Sequence, residues 1–354
     1  MRRPTLTNFC SASAIIGCGA VVLLASGCAP LAQGTGIPGD LAVLRQRGFE
    51  TIKRGVQYPH LASVRAQAVE AFQEAAPEDG LPWIRAALTD AHPAVRFAAC
   101  LAAGTLQDKL ALDGVTRCVA DPDESVRVGA IFALHRYGDT HLTGQLAEYL
   151  LSASDPAVRR NAALVLGRLG EKGAVSLLAR AMRDSDEGVQ LQALESMSLL
   201  GRPEAQQQLT FYATSGTGYK EAFAINALGL THEPRFADTY HYRIRHSDYL
   251  ETRLAAARAL GLLGAADGYT LAAEALNWNS PRRGVPDDPP ENQVRRMRQL
   301  AVLALGAIGD PRGLPLLDRA LTTSDDPNVQ VAIGKAMLEI VNAEQRRQAP
   351  FAAK

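Results

Sequence analysis

Three groups of residues in this chain have types and spacings that could do chemistry. Arginine, or a polar residue in its place, recurs at Arg65, Arg96, Arg127, Arg159, Gln190, Glu221, Arg253, Arg298 and Gln330. The intervals are 31, 31, 32, 31, 31, 32, 45 and 32 residues, and a row of guanidinium groups at that spacing would bind anions. The dipeptide His232-Glu233 offers metal ligands, and the run Tyr240-His241-Tyr242-Arg243 offers aromatic and cationic contact surface. The arginine row reads as structural. Asp90 and Asp121 stand close before Arg96 and Arg127, and Gln190 and Glu221 occupy rungs that a phosphate ladder would tolerate poorly. The other histidines, His60, His92, His135, His141, His241 and His246, show no ligand spacing that repeats. No G-x-S-x-G, H-E-x-x-H or Walker sequence is present. The expectation is a non-catalytic protein without cofactor or metal.

The elements that carry these residues follow from the recurrence itself. Three residues after each marker comes a small or apolar residue, such as Ala68, Ala99 or Ala162, and at plus seven an apolar one, such as Phe72 or Leu166. Glycine stands at plus eight in several copies, among them Gly104, Gly167 and Gly261. The clearest unit, Asp155 to Asp184, opens with an N-capping Asp155 and Pro156 at the first helical position. Val158, Ala162, Leu166 and Leu169 fall on one helical face, Gly170 fits a left-handed C-cap, and a second apolar helix runs through Val175, Leu178 and Met182. A helix pair of about thirty residues cannot bury both its faces alone, so the units must stack into a solenoid.

DPAVRRNAALVLGRLG at 155–170, LETRLAAARALGLLG at 250–264 and RRMRQLAVLALGAIG at 295–309 resemble HEAT repeats of the short, phycobilisome-lyase-like type. The resemblance covers roughly residues 60–342 and implies an all-α, right-handed α-solenoid of about nine antiparallel helix pairs. By the same resemblance the second helix of each pair lines the concave, partner-binding face. Some HEAT-like proteins are enzymes, including bilin lyases and iron-dependent deoxyhypusine hydroxylases. The hydroxylases carry several His-Glu dipeptides, whereas this chain has one, too few for a di-metal ligand set.

Residues 1–27 have a basic start at Arg2-Arg3, an apolar stretch from Ala12 to Ala25 and small residues before Cys28, the pattern of a secretory signal. LLASGC ending at Cys28 resembles a bacterial lipobox, which implies an acylated N-terminal cysteine anchored on the extracytoplasmic side of a membrane in the cell envelope. In a cell with two membranes, Ala29 in place of Asp implies the outer one. Residues 28–39 read as a flexible tether, 40–343 as the solenoid with a capping helix at 40–56, and 344–354 as a polar tail.

Removing Arg2 and Arg3 with the leader leaves 37 − 2 = 35 basic against 37 acidic residues, a balance unsuited to nucleic acid. Cys100 and Cys118 occupy positions that are small and apolar in sister repeats. They lie on the two helices of one hairpin and could form a disulfide in an oxidising compartment. Two irregularities mark candidate binding surface. The long interval from Arg253 to Arg298 holds an expected loop at 279–294, flanked by Trp278 and carrying Arg282 and Arg283, either a binding device or a tolerated insertion. Six of the nine tyrosines fall between Tyr212 and Tyr269, so Tyr240, His241, Tyr242 and Arg243 are either partner contacts or core. The expected function is a membrane-tethered scaffold holding a protein or peptide along its concave surface. The alternatives are an accessory subunit of an envelope enzyme or assembly machine, or a HEAT-like enzyme.

Overall fold

The computed structural model describes residues 40–171, 173–215, 218–282 and 288–348. Cys28, Arg283 and the readings placed on residues 1–39 and 349–354 lie outside the described residues. A single helix, α1 (Leu41–Val56), is followed by helix pairs. These are α2 (Ala62–Ala75) with α3 (Pro77–Ala87), α4 (Pro93–Leu106) with α5 (Leu112–Cys118), and α6 (Glu124–Arg136) with α7 (Gln145–Ser152). Next come α8 (Pro156–Leu169) with α9 (Ala174–Ala181), α10 (Glu187–Leu199) with α11 (Pro203–Ser215), and α12 (Tyr219–Gly229) with α13 (Ala237–His246). The array finishes with α14 (Leu250–Leu262) and α15 (Tyr269–Ala275), α16 (Pro290–Ile308) and α17 (Gly313–Thr323), and α18 (Pro327–Gln348).

Each first helix starts and stops for local reasons. Asp155 accepts from the Ala157 N–H at 2.8 Å ahead of Pro156, and Gly170 ends α8 in the left-handed region at φ 73°. The same position, eleven residues after the marker, is left-handed in seven repeats: Gly138, Gly170, Gly201, Gly264, Gly309, and also Gln107 and His232. His232 thus occupies the left-handed turn position that glycine fills in five of the other repeats. It stands in the turn after α12 at φ 53°, with its Nδ1 3.2 Å from the Leu262 carbonyl. The glycine at plus eight lies inside the helix and serves a different purpose. A Cβ at Gly104 would fall 2.6 Å from Ala133 Cα, and one at Gly261 2.6 Å from the Ile308 nitrogen, so these residues let successive first helices touch backbone to backbone.

The arginine row is a packing device. Arg65, Arg96 and Arg159 each close on a carboxylate 25 residues on, Asp90, Asp121 and Asp184, with Nε and Nη2 at 2.7–2.8 Å. Arg96 Nη1 also donates to the Asp90 carbonyl at 2.9 Å, and Gln190 Nε2 to that of Asp184 at 2.6 Å, so these rungs are chained to the ones before them. The hydrogen bonds from Arg159 hold the Asp184 carboxyl below its usual range. At Glu221 the polarity is inverted: Arg243 Nη1 lies 2.9 Å away, with the Ser247 and Thr252 hydroxyls at 3.0 and 2.9 Å.

The solenoid closes on itself. α18 packs against both α1 and α2, and the successive first helices α2 to α18 form an inner ring with the other helices outside it. Asn342 Nδ2 donates to the Ala75 carbonyl at 2.9 Å and Gln67 Nε2 to the Asn328 carbonyl at 3.1 Å, joining segments more than 250 residues apart in sequence. Arg47 pairs with Asp318 of α17 at 2.7 Å. Along this seam α1 and α18 run antiparallel and meet at glycines. A Cβ at Gly334 would stand 2.8 Å from the Gly48 carbonyl oxygen, and one at Gly48 2.9 Å from that of Gly334. The 40–56 helix is therefore a closing element held from both sides. The expected loop at 279–294 is also shorter than its prolines suggested, because Pro289 and Pro290 begin α16, Pro290 at the first helical position. The polar tail likewise stays helical to Gln348.

Candidate functional site

Closure turns the concave face into a lumen. Positions five and nine after each marker project inward from the inner helices, one helical turn apart. They bring Glu70 and Glu74 from α2, Arg168 from α8, Glu195 from α10, Arg258 from α14, and Lys335 and Glu339 from α18 within electrostatic range of one another across the ring. Lys335 Nζ lies 2.9 Å from Glu74 and 2.7 Å from Glu339. Burial alone would lower the Lys335 pKa, but Glu339 and Glu74 outweigh it and hold the ammonium charged. Leu101, Phe132 and Leu164, buried at the same positions of other repeats, complete the wall.

Glu70 is pushed up to about 8 by burial and by the neighbouring charge of Glu74, against the pull of Arg168 and Lys335. Glu195 is also raised, chiefly by burial, although Gln192 donates to it at 3.1 Å. The sign of the resulting pH dependence is fixed. A carboxyl whose folded pKa exceeds its unfolded value of about 4.3 stabilises the fold fully below that value and loses the contribution as pH rises through about 8. Glu70→Gln should therefore raise the melting temperature at pH 8, leave it nearly unchanged at pH 4.5, and flatten the decline between them. Thermal melts across that range would show it, and an unaltered slope would mean that Glu70 ionises freely.

The outer face holds the aromatic run. Tyr240 is core: its side chain is 0 % exposed beneath α13, which corrects the expectation that it touches a partner. Arg243 is structural as well, tied to Glu221 and, through Nε at 2.6 Å, to the Ala213 carbonyl of α11. Tyr242 is 53 % exposed and stacks on His246 with ring centroids 4.5 Å apart, while His241 is half-buried, 3.8 Å from Asp267. These side chains sit on a second helix, and second helices form the outside of the ring, so none of them faces the lumen. Phe211 on α11, 63 % exposed, was not singled out by its sequence context, which is a polar stretch of glutamines and threonines.

Trp278 is half-buried against the last core cluster, and its carbonyl accepts from Arg298. Arg282 is exposed, with its guanidinium 5.9 Å from the Tyr249 ring centroid. The buried Gln293 amide pins both sides of the insertion. It accepts from the Arg282 N–H at 2.9 Å and donates to the carbonyls of Arg282 and Asp288 at 3.0 and 2.7 Å. Cys100 and Cys118 are adjoining, buried free thiols, and the hydrogen bond between them together with burial pushes the Cys100 thiol up. Among the described residues no group of three or more His, Cys, Asp or Glu is arranged to hold a metal ion, and no helix is long and apolar enough to cross a membrane.

Paired helices, a capping turn at a fixed offset and a chained Arg–Asp ladder define an all-helical HEAT-repeat solenoid. Comparison with known families agrees: HEAT repeats match at residues 61–135 and 143–218, and the PBS lyase HEAT-like repeat at 297–323. No curated protein is significantly similar in sequence. Among solved structures, the YibA protein of E. coli is similar at 13% identity over 89% of this chain and 99% of its own, with a TM-score of 0.32. Human deoxyhypusine hydroxylase is similar at 18% identity over 75% and 96%, TM-score 0.39. The CpcE–CpcF complex of phycocyanin lyase from Nostoc is similar at 18% identity over 69% and 96%, also at 0.39.

Proposed function

We propose that this chain is a lipid-tethered HEAT ring that binds a protein partner on its outer face and breaks no bond. The observation that carries the reading is the exposure of Phe211 and Tyr242 on α11 and α13, outer helices joined by the Arg243–Ala213 hydrogen bond. Large aromatics dominate protein-binding hot spots because they bury much area for little lost rotamer entropy. The concave groove expected from the sequence is a poor candidate, since its wall is drawn into the lumen and its charges are engaged with one another. Tethering rests on the signal-like segment and Cys28, whose acyl chains would hold the ring at the membrane surface.

The test is crosslinking in the native cells followed by mass spectrometry, with wild type beside the Phe211→Ala/Tyr242→Ala double variant. Loss of the crosslinked partner at an unchanged melting temperature is the expected outcome. Retention of the partner would remove this face from consideration. Cys28→Ser should move the protein from the membrane to the soluble fraction, and unchanged fractionation would end the tether reading separately.

A further inference from the structure

Three arginine rungs have lost their acid, those of Arg127, Arg253 and Arg298, and only at Arg298 does a cavity of the structure open beside the gap. In the intact rungs the acid stands six residues before the next marker: Asp90 before Arg96, Asp121 before Arg127, Asp184 before Gln190. For Arg298 that position is Ser324, six residues before Gln330. The correspondence is structural, because Gln330 Nε2 donates to the Ser324 carbonyl at 2.6 Å just as Gln190 Nε2 does to that of Asp184. Where the carboxylate would lie there is a cavity of about 190 Å³ whose lining includes Arg298, Ser324, Asn277, Val302, Val329 and Ile333. Ser324 is 8 % exposed, and its buried Oγ has no hydrogen-bond partner among the described residues. Among those residues Arg298 makes a single hydrogen bond, from Nε to the Trp278 carbonyl at 3.3 Å.

We propose that this cavity binds a small aliphatic monocarboxylate, its oxygens taken by the Arg298 guanidinium and the Ser324 hydroxyl and its short tail laid against Val302, Val329 and Ile333. The intact rungs set the chemistry, since at Arg65, Arg96 and Arg159 the marker guanidinium closes on a carboxylate with two bonds. The size follows from the volume. With a water occupying about 30 Å³, the space suits a molecule of roughly five or six heavy atoms, the range of propionate and butyrate. A single guanidinium, a neutral hydroxyl and an apolar floor favour a monoanion with a hydrocarbon tail over phosphate. Exposed Asn277 and Thr323 mark the opening, beside the insertion that follows Trp278.

Thermal shift and calorimetry on the full-length protein with sodium propionate test this, with sodium chloride and phosphate at equal ionic strength as controls. Propionate should raise the melting temperature saturably and the controls should not. Ser324→Asp restores the missing acid. It should raise the melting temperature without ligand and weaken propionate binding at least tenfold, and Arg298→Met should abolish the response. A wild type that responds to propionate no more than to chloride overturns the proposal. So does a folded Ser324→Asp variant that binds propionate as tightly as wild type.

Discussion

Lys335→Met should be among the most destabilising single substitutions in this protein. The ammonium lies 2.9 Å from Glu74 and 2.7 Å from Glu339, and its side chain is 10 % exposed. Methionine keeps most of the volume but leaves both carboxylates uncompensated in a lumen that also holds Glu70. Breaking a buried pair by removing one partner costs about 3–5 kcal/mol, because the remaining charge cannot regain its hydration. Thermal unfolding followed by circular dichroism should show the melting temperature falling by roughly ten degrees. Adding Glu74→Gln should recover part of that loss by removing one stranded charge. A fall of no more than a degree or two would mean that the lumen is as wet as open surface.

The second large effect belongs to the seam. Gly334→Val places a branched side chain where even a Cβ would stand 2.8 Å from the Gly48 carbonyl oxygen and 3.2 Å from Ile52 Cγ1 and Thr51 Cβ. The obstacle is backbone, so no rotamer change relieves it. Overpacking of this kind costs about 1–3 kcal/mol in a core that can adjust. Here the simplest adjustment is separation of α1 from α18. Small-angle scattering should then report a larger maximum dimension at nearly unchanged helical content, with Gly334→Ala intermediate. An unchanged scattering profile with full helicity would show that the seam tolerates the bulk by local shifts.

The repeat was legible because its cause is local. Asp155 and Pro156 start a helix, Gly170 stops it, and these signals recur at fixed offsets that any copy can confirm. The structural reading of the arginines was legible too, although the pairing runs to an acid 25 residues ahead, which no local pattern displays. The concave face was misassigned. The second helix is not its lining, and Tyr240 and Arg243 on α13 serve the core and the inverted rung at Glu221. On the first helix the signal stands at plus five and plus nine, where Glu70, Glu74, Arg168, Glu195, Arg258, Lys335 and Glu339 share positions that elsewhere hold Leu101, Phe132, Leu164, Leu199 and Leu262. Closure itself had no local signature. It is the sum of many small rotations between neighbouring repeats, and a few degrees more or less at each would leave the ends apart. The glycines of the seam, Gly48 and Gly334, gain their meaning only once α1 and α18 are face to face.

That meeting of α1 and α18 also changes how the fold can come apart. In a linear stack every terminal repeat has one neighbour, so melting begins at an end and moves inward. Here each inner helix is flanked on both sides, and releasing any one of them breaks two junctions. The molecule behaves as a sequence with a periodic boundary, in which the start of the chain is a matter of bookkeeping. Because α1 and α18 are antiparallel, the beginning of the first lies near the later turns of the second, with Leu44 sharing a core cluster with Ile340 and Val341. A short linker across that gap, with new ends cut between α11 and α12, would yield a circular permutant that keeps every junction of the ring while moving the chain ends to another repeat.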